Sequence, residues 1–221
     1  MNNNNQNLLT NKYSIKEEIA NSITHGIGIV FSLICTAILL VYAFWAKNIN
    51  SIVGFAVYGI CSTTSYVTST LYHSCRIEEI KKVLRVLDHS AIYLFIAGTY
   101  TPIALLSLNG WHKYLLLFTV WVLAAVGVSI KLLSKKDMEK FKKISLFLYV
   151  AMGWLVVFAL RPLLDAIDFK FFLWLLAGGI SYTVGVVFYV NKKIPFNHAI
   201  WHLFVLGGSI FQFIGIFLYL K

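Results

Sequence analysis

The segment Asn197-His198-Ala199-Ile200-Trp201-His202 opens the last apolar run of the chain, which continues to Leu220. Residues four apart on a helix lie on the same face, so the imidazoles of His198 and His202 can bind one ion together. Polar groups inside a bilayer are costly and usually face a partner. The pair therefore predicts a membrane helix that turns one face toward a metal site, for which other helices must supply further ligands.

The composition predicts an all-α membrane protein. Of the 221 residues, 59% are hydrophobic and only 13% are charged, whereas soluble domains are about 45–50% apolar. Because about 20 apolar residues span a bilayer as a helix, the chain accommodates a seven-transmembrane-helix bundle. We expect a polar N-terminal tail and an interfacial helix in residues 1–22, and a transmembrane domain in residues 23–221. The expected spans are about 23–46, 52–73, 86–108, 114–133, 144–160, 169–190 and 198–220.

The net charge of +10 follows the predicted topology rather than a nucleic-acid-binding surface, because the basic residues lie between the apolar runs. With the N-terminus inside, 14 of the 19 Lys and Arg residues fall on the inner side. The positive-inside rule then places the N-terminus in the cytoplasm and the C-terminus outside. We therefore expect a multi-pass protein of the cell membrane. The three cysteines lie in or beside apolar segments and indicate no disulfide framework.

Four potential metal ligands fall at one depth in this topology. His73 ends the second span on the inner side, Asp88 lies near the inner start of the third, and His198 and His202 open the seventh. Three imidazoles with one open position are typical of catalytic zinc, which lowers the pKa of a bound water to about 7. Asp88 can bind the metal or accept the proton of that water. Ser69, one turn before His73, can orient the water, bond Asp88 or donate to an oxyanion.

Each of these residues also has a simpler interpretation. Asp88 could cap the third span or pair with Arg85, and Ser69 could serve only helix packing. The spacing His-x-x-x-His is common, and here it lacks the glutamate of a His-Glu-x-x-His metalloprotease. The coincidence of all four ligands at one depth favours the metal site.

The three remaining histidines are weaker candidates for ligands. A lone histidine near the inner boundary, such as His25, is more often an interfacial group. His89 directly follows Asp88 and so points about 100° away on the helix. His112 lies on the outer side, at the wrong depth.

Five motifs carry a resemblance to a known family. They are Glu17-Glu18-x-x-Asn21-x-x-x-His25-Gly26, Ser69-Thr70-Leu71-Tyr72-His73, Leu87-Asp88-His89-Ser90-Ala91-Ile92-Tyr93, Gly98-Thr99-Tyr100-Thr101-Pro102 and His198-x-x-x-His202. The chain resembles bacterial hemolysin III proteins, of the progestin and adipoQ receptor superfamily, over nearly all of its length after residue 12. The resemblance implies a seven-helix bundle with zinc near the cytoplasmic face. It implies zinc ligation by His73, His198 and His202, with Asp88 acting directly or through water and Ser69 beside it.

The sequence is compatible with three functions. The first is a zinc-dependent hydrolase of a lipid amide or ester, similar to a ceramidase, with Asp88 and Ser69 as catalytic residues and a membrane lipid as substrate. The second is a non-enzymatic, zinc-stabilised sensor or regulator of lipid homeostasis. The third is a cytolysin, as the name of the resembled family suggests.

Overall fold

The computed structural model describes residues 13–135 and 138–220, which form helices joined by short connections. None of these residues lies in a β-strand. The helices are α1 (Ile15–Trp45), α2 (Ile49–Ser74), α3 (Glu78–Ser107), α4 (Gly110–Leu133), α5 (Lys142–Gly153), a 3-10 helix (Leu155–Ala159), α6 (Leu160–Leu164), α7 (Phe169–Val190) and α8 (Asn197–Tyr219).

The prediction of an all-helical membrane protein is confirmed. Within the described residues, six helical segments are long and apolar enough to cross a membrane, with the interrupted stretch from Lys142 to Leu164 counted as one. The remaining long helix, α2, has 26 residues but carries many hydroxyl side chains, so it is not among these six. The count of seven and the orientation of the termini therefore stay predictions.

The first helix differs from the expected division into an interfacial helix and a separate span. Its start is fixed at Ser14, whose hydroxyl accepts from the backbone N–H of Glu17 while the Glu17 carboxylate accepts from the N–H of Ser14. Such a capping box satisfies two donors that the helix itself leaves open. No proline follows, and α1 continues without interruption through the boundary expected between residues 22 and 23. The polar tail predicted in residues 1–11 lies outside the described residues.

The third helix begins eight residues earlier than the apolar run suggested. Glu78 and Glu79 occupy its first turn, where acidic side chains interact favourably with the helix dipole. The charged segment predicted as a loop is therefore mostly helical. Its Lys81 is buried and donates to Glu18 of α1, with 2.7 Å between Nζ and Oε1.

The fifth span is interrupted, which the sequence did not indicate. Between Gly153 and Leu160 the chain tightens into a 3-10 turn. The hydroxyl of Tyr100 on α3 donates to the Gly153 carbonyl (2.8 Å) and accepts from the Val156 N–H (3.0 Å). Backbone groups at membrane depth need partners inside the protein, and Tyr100 supplies them at this interruption.

Several helices pack against their neighbours in the chain, and the last helix also packs against the first. Helix α2 packs against α1 and α3, α3 against α4, and α7 against α8, while α8 returns to α1. Close approach of α7 and α8 depends on glycines: a Cβ added at Gly185 would lie 2.7 Å from Cβ of Phe204, and one at Gly178 would lie 2.8 Å from Cγ of Gln212. Small residues at such contacts are typical of membrane helix pairs. At Gly179, by contrast, the nearest atoms belong to Trp154 at 3.8 Å.

This packing predicts different outcomes for two alanine substitutions on α7. Gly185→Ala should destabilise the protein by about 1–3 kcal/mol, because Cβ of Phe204 is rooted in the backbone and cannot move aside alone. Gly179→Ala adds a methyl group in ordinary contact distance and should be neutral or stabilising by up to about 1 kcal/mol. Thermal unfolding in detergent measures both, and equal melting temperatures for the two variants would contradict the close packing of α7 on α8.

Candidate metal centre

Three histidines from two helices meet at one end of the bundle. His73 lies in the last turn of α2, and His198 and His202 lie in the first two turns of α8. One ring nitrogen from each lies within 4.8 Å of the other two, and the Nε2 atoms of His198 and His73 are 3.2 Å apart. Two nitrogens that share a tetrahedral zinc at about 2.0–2.1 Å lie about 3.3 Å apart. The predicted imidazole ligands are therefore together, and all three side chains are buried.

The start of α1 supplies hydrogen-bond partners for the outer nitrogens of two of these rings. Nδ1 of His73 lies 2.6 Å from Oε2 of Glu18. Nδ1 of His202 lies 3.2 Å from the carbonyl oxygen of Asn21 and 3.1 Å from Oγ1 of Thr24. Donation of these Nδ1–H groups leaves each Nε2 free to bind a metal, which is the usual arrangement of outer-shell partners around metal-bound histidine.

Glu18 is itself held in place. Its second carboxylate oxygen accepts from the buried ammonium group of Lys81. One carboxylate thus joins α1 to His73 on α2 and to Lys81 on α3. Sequence reasoning missed this residue, although Glu18, Asn21 and His25 recur at spacings of three and four along α1 and so share one face.

Asp88 lies on α3, ten residues after the helix begins, and is buried. Its position excludes the capping role, and Arg85 instead pairs with Glu139. The Asp88 carboxylate lies near the Ser69 hydroxyl and within electrostatic range of His73. It is not part of the three-histidine group. Ser69 is buried, and its Oγ forms no hydrogen bond of normal geometry within the described residues.

His25 lies inside the site rather than at an interface. Its ring stacks on that of His202 with 3.5 Å between centroids and 14° between planes. Both of its nitrogens are buried, and within the described residues neither has a hydrogen-bond partner. The sequence signal that could have identified it is its position one turn after Asn21.

The other two histidines lie outside the three-histidine group. Nδ1 of His89 lies 2.8 Å from the Arg85 carbonyl oxygen. His112, near the start of α4, packs on Trp111.

Tyr13 covers the cluster on the side of the N-terminus. Its ring stacks on His198 at 5.0 Å between centroids. Burial raises the pKa of its hydroxyl well above the usual value, so the side chain stays neutral. Beyond Tyr13 lies an open cavity of about 530 Å³ that Lys142, Lys192 and Lys193 help to line.

A second cavity, of about 220 Å³, leads away from the cluster into the bundle. His198, Asp88 and Ser69 line one end, and its wall includes α7 residues from Tyr189 back to Phe172. Seventeen residues of helix correspond to roughly 25 Å. The cavity is therefore long and narrow, and its wall is mostly apolar.

The interrupted fifth span and α7 flank this cavity. Trp154 and Val157 of the interruption line it, and Nε1 of Trp154 donates to Oγ1 of Thr183 on α7 at 3.0 Å. The irregular backbone thus faces the cavity, where such backbone is tolerated in membrane proteins.

Comparison with known proteins supports the resemblance seen in the motifs. Residues 13–213 match the family described as Haemolysin-III related. The chain is 45% identical to Hemolysin-3 of Bacillus cereus over 93% of this chain and 92% of the relative, and 44% identical to the Hemolysin-3 homolog of Bacillus subtilis over 94% and 96%. It is also 30% identical to the human monocyte to macrophage differentiation factor, over 92% of this chain and 84% of the relative. The chain is therefore a membrane protein of the hemolysin III family, within the progestin and adipoQ receptor superfamily.

Proposed function

We propose that this protein is a zinc-dependent membrane hydrolase that cleaves an amide or ester bond of a lipid. The observation that carries the proposal is the position of three clustered imidazoles, with a carboxylate and a hydroxyl beside them, at the end of a long apolar cavity. An apolar cavity with a few convergent polar groups is the usual form of a small-molecule site.

The donor set fits zinc. Neutral imidazoles are common zinc ligands, and three of them leave a fourth position for water or substrate. The Nδ1 atoms of His73 and His202 already have partners on α1. The Nε2 lone pairs of both rings therefore face the cluster without rearrangement. A bound zinc supplies a Lewis acid and lowers the pKa of a coordinated water to about 7.

Asp88 and Ser69 have distinct roles in this reaction. Asp88 accepts the proton of the attacking water and later passes it to the leaving amine or alcohol. The Ser69 hydroxyl, which has no partner of normal geometry within the described residues, donates to the oxygen of the scissile carbonyl as negative charge develops there. Asp88 stays outside the three-histidine group, which supports action through water rather than direct ligation.

The lipid enters from the bilayer between the interrupted fifth span and α7. Trp154 and Thr183 form a hydrogen bond across this position, and the cavity beside them accommodates the hydrocarbon chain. We further propose that α2 is the seventh span, with the N-terminus in the cytoplasm of a cell whose plasma membrane holds the protein. The site then lies near the cytoplasmic face.

A second candidate function, a zinc-stabilised regulator without catalysis, is favoured by one observation. The cluster and its hydrogen-bond partners join the N-terminal part of α1 to α2 and α8, the helices at which the bundle closes. A metal at this position would therefore hold the ends of the chain together whether or not a lipid is cleaved.

Hydrolysis by purified protein tests the first function. Long-chain lipid amides and esters should be cleaved by the zinc-loaded protein, and Asp88→Asn should lower turnover by about 10²–10⁴-fold because proton transfer is lost. The matched control is Asp165→Asn, which changes an exposed aspartate beyond α6. Equal turnover by the wild-type, zinc-stripped and Asp88→Asn proteins would overturn the proposal.

Zinc affinity tests the role of Glu18. Glu18→Gln should weaken zinc binding by about 10–100-fold, because the carboxylate no longer orients His73 or strengthens it as a ligand. Competition with a chromophoric chelator measures the affinity. Glu17→Gln is the matched control, since Glu17 caps α1 through Ser14; zinc binding that is equally weakened in both variants would assign the effect to the helix start instead.

Thermal stability tests the regulator. Zinc at 100 times its dissociation constant should stabilise the folded protein by about 2.7 kcal/mol, and His202→Ala should abolish this zinc-dependent gain while His112→Ala retains it. Zinc-dependent stabilisation without any lipid product would favour the regulator. A melting temperature that zinc leaves unchanged in the wild type would exclude it.

A further inference from the structure

The long cavity has a second polar position, separate from the metal centre. Tyr182 of α7 and Gln212 of α8 both line it. Their neighbours on the wall include Phe95, Leu175 and Val205, which are apolar. Gln212 lies ten residues after His202, which corresponds to about 15 Å along α8. A glutamine within a membrane helix is costly unless its amide finds polar partners.

Hydrogen bonds tie this position to the rest of the bundle. The Tyr66 hydroxyl on α2 lies 2.6 Å from Oγ of Ser209, which donates to the Val205 carbonyl at 3.0 Å. The Tyr182 hydroxyl lies 3.2 Å from the same Ser209 oxygen and donates to Oε1 of Gln212 at 3.3 Å. Because each hydroxyl has one proton, Tyr66 donates to Ser209, and the proton of Tyr182 is directed to Gln212.

Only one of the two polar groups of the Gln212 amide therefore forms a hydrogen bond within the described residues. Its Oε1 accepts from Tyr182, while its NH₂ group donates no hydrogen bond within the described residues. The side-chain stem is held against Gly178 of α7, which fixes the amide beside the cavity. A rotation of the amide by 180° would exchange the two ends but would still leave one of them without a protein partner. Gln212 is only partly buried and lines the cavity, so the free end of its amide is available to a polar group of a ligand.

We propose that Tyr182 and Gln212 bind a hydroxyl group on the hydrocarbon chain of a lipid, about 15 Å from the metal centre along α8. A ligand hydroxyl can accept from the Gln212 NH₂ group and donate to the Tyr182 oxygen. If the amide is turned by 180°, the same hydroxyl donates to Oε1 of Gln212 and accepts from the Tyr182 hydroxyl. The ligand class is thus an acyl chain hydroxylated near its middle. This inference rests on the proposed function in one respect, that a lipid chain occupies the cavity.

A purely structural role explains less of what is observed. Ser209 and Tyr66 already connect α8 to α2, and a second glycine contact at Gly208, 2.7 Å from Cε1 of Tyr182 for an added Cβ, already brings α8 close to α7. Neither contact requires an amide on the cavity wall. A leucine at residue 212 would fill the same space without an unpaired polar atom.

Competition binding tests the inference without any turnover. Purified protein in lipid nanodiscs binds a fluorescent fatty acid, and two positional isomers of hydroxyoctadecanoic acid, one hydroxylated mid-chain and one near the carboxyl group, displace it. The wild type should prefer the mid-chain isomer by about fivefold, as one or two added hydrogen bonds imply. Gln212→Met should remove the preference, and Tyr182→Phe should reduce it. The control Leu173→Met changes an exposed residue of α7 outside the cavity lining and should leave the preference intact.

The outcomes separate this inference from the proposed function. Equal affinity of the wild type for the two isomers, or a preference that persists in both Gln212→Met and Tyr182→Phe, would overturn the inference. So would a failure of either isomer to displace the fluorescent probe. A preference that depends on Gln212 in a protein that hydrolyses no lipid would support the binding position and reject the hydrolase. Thermal unfolding of each variant confirms that the folded protein is being compared.

Discussion

The structure depends on the cost of burying imidazoles inside an apolar bundle. Each neutral ring has one donor and one acceptor, and an unpaired buried polar group destabilises the fold. The outer nitrogens of His73 and His202 find partners on α1. The Nε2 lone pairs of His73 and His202 then face the centre of the three-histidine group, where the ring of His198 also lies. One cation satisfies all of these lone pairs at once, whereas a hydrogen bond between two rings satisfies only one, which is the physical reason for the zinc proposal.

The sequence predicted which histidines meet, because membrane topology restricts depth. A helix that ends on the inner side and a helix that begins there bring their terminal residues to one level. His73, His198 and His202 obey this rule, and the structure brings them together. The same rule placed Asp88 near them. Secondary structure alone would not have sufficed, since His73 is 125 positions from His198 in the chain.

The partners of the histidines could not be predicted in the same way. Glu18 and Thr24 are ordinary residues for the polar end of a membrane helix, and nothing in their type separates a metal partner from a solvated side chain. Lys81 was missed because the charged start of α3 has the composition of a loop. Its burial depends on the carboxylate of Glu18, a contact between distant parts of the chain. His25 was assigned to an interface because a single histidine has no periodic partner of its own type.

The interruption of the fifth span was missed for a different reason. The segment Gly98-Thr99-Tyr100-Thr101-Pro102 lies within α3, which is one helix through Pro102. The irregular backbone lies in the neighbouring span, and Tyr100 of this segment satisfies its free carbonyl and N–H groups. The residue that stabilises the interruption, Tyr100, thus lies on α3. A hydropathy pattern of the fifth span itself does not reveal it.

Helix α2 shows how packing between two other helices alters the composition on which span prediction relies. A helix that faces lipid must be apolar, whereas a helix packed between two others can have hydroxyl side chains that bond to its own carbonyls or to its neighbours. Helix α2 packs between α1 and α3. It presents His73 to the three-histidine group, Ser69 to the cavity and Tyr66 to the hydrogen bonds around Ser209. Apolarity therefore identifies six helices of the described residues and overlooks α2. His73 and Ser69 are among the polar residues that lower the hydropathy of α2, so part of its polarity belongs to the candidate site.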